Sequence, residues 1–140
     1  MSTFLNITRL LAILAILLPI SLFSQEKEIA EGKTALQSGD LTKAIEMFRK
    51  ATREDKKNVE AHILLAQTLY KADSLNALTI EIALINDLDP NNSAVHILQG
   101  DAWMKQKLYV PAITAYVRAT ELDSNNLEAW VKLAEAKKKA

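Results

Sequence analysis

His62 and His96 are the two histidines of this 140-residue sequence, and histidine is a frequent metal ligand and general base. In a helix, a second ligand on the same face would stand four residues later, where Ala66 and Gly100 occur instead. Metal ligands occur as clusters with defined spacing. The two histidines also lie thirty-four residues apart, so a repeat explains their recurrence. We therefore interpret both as structural.

The rest of the sequence contains no group that would carry catalysis. It has no cysteine, which excludes a thiol nucleophile, a disulfide and a cysteine-ligated metal. No serine is flanked as in a nucleophile elbow. The run Asn91-Asn92-Ser93 matches a glycosylation acceptor, but a turn followed by a helix cap explains it fully. We predict that the protein is not an enzyme and that it uses no cofactor and no metal.

The charge balance limits the class of partner. The 17 Lys and Arg residues equal the 17 Asp and Glu residues, and no basic block stands out. Nucleic-acid binding requires a basic patch, so we do not expect a nucleic acid as partner.

The N-terminal segment predicts export. Positions 10 to 23 read LLAILAILLPISLF, an uncharged run of the length of a signal-peptide apolar region, preceded by Arg9. Pro19 breaks the helix, and Ser24 supplies a small residue before a cleavage point. We predict that residues 1–24 are a signal peptide and that the mature protein is periplasmic or secreted.

An uncleaved anchor is the alternative for the same segment. Counted from Phe4, the run reaches twenty mostly apolar residues, with Arg9 snorkelling toward the interface. The protein would then be anchored in the inner membrane, as an assembly or transport factor tethered by residues 1–24. A membrane is an expected partner only in this case.

The elements that would position any site follow a repeat of thirty-four residues. Within each unit, apolar residues recur at offsets of four and seven, which return to one face of a helix. The matching columns of the second helices are Ala44, Leu78 and Ala112; Phe48, Ile82 and Tyr116; and Ala51, Ile85 and Ala119. The first helices share the column Gly32, Ala66, Gly100 and Ala134. Each unit is therefore predicted to be two amphipathic helices.

Turn and cap residues keep the same phase. Asn58, Asn92 and Asn126 each precede a new apolar-periodic segment, and we predict that all three are helix N-caps. Lys137 occupies a column that is apolar in the earlier units, as a terminal helix with one exposed face requires. The last segment is thus predicted to be a capping helix.

These columns resemble the tetratricopeptide repeat (TPR) family. Unit three matches its pattern at Gly100, Trp103, Ala112, Tyr116 and Ala119. The resemblance implies an all-α fold, a right-handed α-α superhelix of three helix-turn-helix units plus a C-terminal capping helix. The TPR domain would span 25–140, with units at about 25–58, 59–92 and 93–126 and the capping helix at 127–140.

The resemblance also implies a concave groove that binds a protein or peptide partner, and it predicts an interaction module or scaffold. The groove positions would be Ile29, Lys33, Leu36, Ile63, Gln67, Tyr70, Lys71, Ile97, Asp101, Met104 and Lys105. Half-burial against the neighbouring helix is the alternative for the apolar members. The Lys/Asn/Arg pattern that clamps a C-terminal carboxylate in some family members is missing, because Ile63, Leu64, Ile97 and Leu98 stand in such places. We therefore do not expect a receptor for chaperone tails.

Overall fold

The computed structural model describes residues 25–140, and these residues form seven α-helices and no strand. The chain divides into two compact bodies, of which the described parts are residues 25–56 and 57–140. The first body contains α1 (residues 25–37) and α2 (Leu41–Glu54). The second contains α3 (Val59–Lys71), α4 (Leu75–Leu88), α5 (Ser93–Lys105), α6 (Tyr109–Leu122) and α7 (Leu127–Lys139). The predicted all-α class is confirmed, while the predicted signal peptide at residues 1–24 lies outside the described residues.

Two of the three predicted asparagine caps are confirmed. The side chain of Asn58 accepts a hydrogen bond of 2.9 Å from the Ala61 backbone at the start of α3. Asn126 does the same for the Ala129 backbone at 3.1 Å, where α7 begins. Each bond satisfies one of the first-turn amides that have no partner within the helix.

Asn92 is a correction to that prediction. It stands at the N-cap position of α5, but its side chain makes no cap hydrogen bond. Its Nδ2 instead donates to Asp89 Oδ2 at 2.9 Å, which holds the amide over the preceding turn. The Val95 backbone N–H donates to the Asn92 carbonyl at 3.2 Å, so the first turn closes through the main chain.

The turns inside the helical pairs share one backbone conformation. Gly39, Asp73 and Lys107 occupy equivalent positions and have φ of 80°, 57° and 60°. This left-handed region suits glycine and is unfavourable for a side chain such as that of lysine. Pro111 lies in the first turn of α6, where no intrahelical partner for its nitrogen is lost.

Close helix crossings explain two glycines. In the first body, a Cβ placed on Gly32 would meet the Phe48 ring at 2.5 Å. In the second body, a Cβ on Gly100 would collide with the Tyr116 ring in the same way, at 2.7 Å from Cδ1. An aromatic ring on the second helix thus packs on the bare backbone of the first, as the matching columns predict.

The C-terminal helix completes the core of the second body. Its Ala129, Leu133 and Ala136 belong to a buried cluster that also contains Ile97, Ala112, Tyr116 and Ala119. Its exposed positions are mixed, because Lys137 is exposed and so are the apolar side chains of Leu127, Trp130 and Val131. Lys137 is thus exposed at the column that is apolar in the earlier units, as predicted for a capping helix, although the helix also exposes apolar side chains near its start. Between residues 25 and 140, no helix has the length and apolar character needed to cross a bilayer.

Candidate functional site

A groove of about 250 Å³ opens between α3, α5 and the start of α7 in the second body. Five predicted groove residues line it together, namely Gln67, Tyr70, Lys71, Ile97 and Asp101. Ala94, Leu98 and Glu128 complete the lining. The structure therefore brings the central part of the predicted site into one concave surface.

Helical spacing places these side chains side by side. In α5, the lining positions 94, 97, 98 and 101 follow the three- and four-residue spacing of one helix face. Ile97 is buried and belongs to the core cluster, so it forms the floor of the groove. Gln67 and Lys71 are exposed on α3 at the edge. The groove has an apolar floor and a polar rim.

Lys105 and Tyr70, both predicted to face a partner, contact each other. The Lys105 ammonium lies 4.2 Å from the centroid of the Tyr70 ring, a cation–π contact. It also donates to the Tyr70 carbonyl at 2.9 Å and to Asp73 Oδ1 at 3.1 Å. Lys105 thus fixes the Tyr70 ring at the end of α3 rather than extending freely into the groove.

The Asp101 carboxylate is bound by side chains from two other helices. Lys132 Nζ lies 2.8 Å from both Asp101 oxygens, and the Tyr116 hydroxyl donates to Oδ1 at 2.7 Å. Burial, followed by the hydrogen bond to Asp101, raises the pKa of Tyr116 well above its ordinary value. Burial lowers the pKa of Lys132, but the hydrogen bonds and charges of Asp101 and Glu128 together exceed that effect, so the net direction is upward. Lys132 also lies 3.5 Å from Glu128.

The other predicted residues fall outside this cavity. Ile63 is half-buried on α3, and Met104 is partly buried against the core cluster, so packing accounts for much of its apolar surface. Ile29, Lys33 and Leu36 lie on α1 in the first body, where Lys33 is exposed and the other two are half-buried.

His62 forms a pair that sequence reasoning missed. Its Nδ1 lies 2.7 Å from Glu81 Oε2, and only 6% of the His62 side chain is exposed. The carboxylate comes from α4, which packs against α3, and not from the same helix. Within residues 25–140, no group of three or more His, Cys, Asp or Glu side chains could hold a metal.

Known structures share this fold. The TPR2B domain of yeast Sti1 in complex with an Hsp70 peptide gives a TM-score of 0.78 at 18% identity, covering 84% of this chain and 99% of that one. The Arabidopsis OM64 TPR domain gives 0.77 at 17% identity, covering 84% and 98%. The Yersinia enterocolitica type III secretion chaperone SycD, in complex with a peptide of the translocator YopD, gives 0.74 at 15% identity, covering 81% and 92%. No curated protein matches the chain in sequence.

The helices and the similar known structures define the fold class. The chain is an all-α helical-repeat solenoid. The family model of the tetratricopeptide repeat matches residues 35–102. That match and the structural neighbours together support the TPR family predicted from the repeat columns.

Proposed function

We propose that the protein is an exported, non-catalytic module that binds a segment of a partner protein in the groove between α3, α5 and α7. The observation that carries the proposal is the groove itself, in which five predicted residues line one cavity of about 250 Å³. Concave surfaces with an apolar floor and a few polar groups are the usual form of binding sites.

The lining indicates the chemistry of the segment. Ile97 and Leu98 offer apolar contact on α5, while Gln67 can both donate and accept hydrogen bonds from α3. The lining contains the carboxylates of Asp101 and Glu128 but a single cation, Lys71, so it offers no cluster of positive charge to hold a terminal carboxylate. The proposed ligand is therefore an internal segment that inserts an apolar side chain and does not end in the groove.

The structural neighbours support peptide binding as the class of function. Two of the proteins that share the fold, yeast Sti1 and the Yersinia chaperone SycD, are in complex with peptides. Because their sequence identity to this chain is low, the comparison shows a shared fold and not a shared ligand. The ligand of this chain is inferred from its own lining residues.

Site-specific photo-crosslinking in the native host tests the proposal. A benzophenone side chain at Gln67, which is exposed at the groove, should crosslink to one defined segment of a partner. The matched control is the same probe at Asp87, which is exposed on α4 and outside the groove. Capture of the same segments at both positions would contradict groove binding.

Export is the second part of the proposal and has its own test. The apolar run at 10 to 23 supports a cleaved signal peptide, and the tethered assembly or transport factor is the alternative. The intact mass of the purified native protein separates the two. A mature chain that begins at Gln25 is expected, whereas a retained 1–24 segment would support the anchor.

A further inference from the structure

The two histidines occupy equivalent positions of consecutive repeats but have different surroundings. His62 on α3 meets the Glu81 carboxylate of α4 at 2.7 Å. Thirty-four residues later, His96 on α5 has Ala115 of α6 at the position equivalent to Glu81. The Nε2 atom of His96 is buried and has no hydrogen-bond partner, and it is the other ring nitrogen from the Nδ1 that contacts Glu81 at His62. One repeat therefore supplies a carboxylate to its histidine, and the next does not.

An open cleft lies beside His96 and Ala115. It has a volume of about 370 Å³ and lies between α5 and α6, lined by His96, Gln99, Trp103, Pro111, Thr114, Ala115 and Arg118. It shares no lining residue with the groove described above. Ala115 is buried and lines this cleft together with His96.

The charges and surfaces of the cleft suit an anion with an apolar body. Arg118 is half exposed at the rim, and its pair with Glu121 at 3.3 Å is on the surface, where such pairs contribute little. The lining contains no carboxylate of its own. Trp103 and Pro111 add apolar surface, and the Gln99 amide can donate a hydrogen bond. Planar, bidentate recognition of a carboxylate is what a guanidinium provides best.

We propose that the cleft between α5 and α6 binds a carboxylate group between Arg118 and His96, so that the second histidine also gains a carboxylate neighbour, as His62 has in Glu81. The carboxylate can belong to a small aromatic acid or to an acidic side chain of a protein. Both sources offer the same group to His96 and Arg118, and the experiment distinguishes them.

Titration followed by the imidazole and indole resonances of the isotope-labelled protein tests the proposal. Sodium benzoate represents the free acid, and a blocked Ala-Glu-Ala peptide represents the protein side chain. Benzamide and the blocked Ala-Gln-Ala peptide are the uncharged controls. At millimolar concentration, at least one carboxylate probe should shift the resonances of His96 and Trp103 and leave those of His62 unchanged. The probe that binds identifies the source.

Variants show whether the shifts report the proposed site. Arg118→Gln lies on the surface and should weaken binding about tenfold, as expected for loss of a charge-assisted hydrogen bond. Arg53→Gln, exposed on α2, should leave the affinity unchanged. Ala115→Glu should place a carboxylate beside His96, shift the His96 resonances without ligand and abolish binding. The proposal is overturned if neither carboxylate probe shifts His96, if the amides bind equally well, or if Arg118→Gln and Arg53→Gln behave alike.

Discussion

The Tyr116 hydroxyl on α6 donates a 2.7 Å hydrogen bond to Asp101 Oδ1 on α5, and the same carboxylate receives Lys132 Nζ from α7 at 2.8 Å. One side chain at the edge of the groove therefore joins three consecutive helices. Asp101 has a structural role in addition to its place in the groove lining. Removing it would leave the Tyr116 hydroxyl without its acceptor and Lys132 with only Glu128 at 3.5 Å, so Asp101 variants are poor probes of partner binding.

Tyr116→Phe tests this link. The variant keeps the ring that packs on Gly100 but loses the hydroxyl, and we expect the free energy of unfolding at pH 7 to fall by about 1 kcal/mol. The measurement is urea unfolding of both proteins, because a change in midpoint with an unchanged slope reports stability. An unchanged midpoint would show that the hydroxyl contributes nothing to folding.

A further prediction for the unmodified protein and Tyr116→Phe concerns their stability at alkaline pH. Because the pKa of Tyr116 is raised in the folded state, that state keeps a proton which the unfolded chain releases near pH 10. The stabilisation is therefore complete below that pH and decreases as the pH rises further. Lys132, whose pKa is also raised, has the same sign and remains in the variant. Between pH 9 and 11, the free energy of unfolding should decrease less steeply with pH in Tyr116→Phe than in the unmodified protein. Identical curves would contradict the raised pKa of Tyr116.

Ala112→Leu tests the helix crossing of the third repeat. Ala112 is fully buried in the core cluster, and a leucine there should overpack it at a cost of about 1 to 3 kcal/mol. Ala134→Leu is the matched control, since Ala134 is exposed on α7 and its replacement should change stability by less than about 0.5 kcal/mol. Thermal unfolding of both variants compares them. Equal melting temperatures would place Ala112 outside the crossing.

Lys107→Gly should stabilise the protein. Lys107 has φ of 60° in the turn before α6, and relief of that left-handed strain is expected to add about 1 kcal/mol. The neighbouring Gln106 has φ of −85°, so Gln106→Gly gains no such relief and should lower the stability. Shifts of the denaturant midpoint in opposite directions for these adjacent variants would confirm the backbone conformation of Lys107. A destabilising Lys107→Gly would refute it.

The three equivalent asparagines should differ in their effect on stability. Asn58→Ala and Asn126→Ala each remove a side-chain bond to a first-turn amide, with an expected cost of about 1 kcal/mol. Asn92→Ala removes only the contact with Asp89 across the turn, so its cost should be smaller. Equal losses in chemical unfolding would show that Asn92 caps α5 in solution.

The period of thirty-four residues was enough to predict the helices and their crossings. Asn58 and Asn126 fixed where α3 and α7 begin, because a capping side chain acts on its own helix within three residues. The contact of Tyr116 with Gly100 followed from columns shared by successive repeats. Local chemistry and repetition thus carry most of the fold.

The contacts at the groove could not be predicted from the sequence because they join side chains from different helices. Lys105 was predicted to face a partner, but its reach to the Tyr70 carbonyl depends on how α5 packs against α3. The pairing of Asp101 with Lys132 depends in the same way on the position of α7. Met104 packs on the core although its spacing also suits the groove. Periodicity gives the face of a helix, and the neighbouring helix decides which side chains stay exposed.

The most direct test of groove binding is the affinity of a synthetic peptide that carries the segment crosslinked at Gln67. Ala94 is an exposed lining residue, so Ala94→Trp should fill the groove without disturbing the core. The matched Ala134→Trp adds the same side chain outside the groove. Calorimetric titration should show an affinity at least about tenfold weaker for Ala94→Trp and unchanged for Ala134→Trp, a loss of about 1.4 kcal/mol. Equal affinity of Ala94→Trp and the unmodified protein would contradict the assignment of this groove as the binding site.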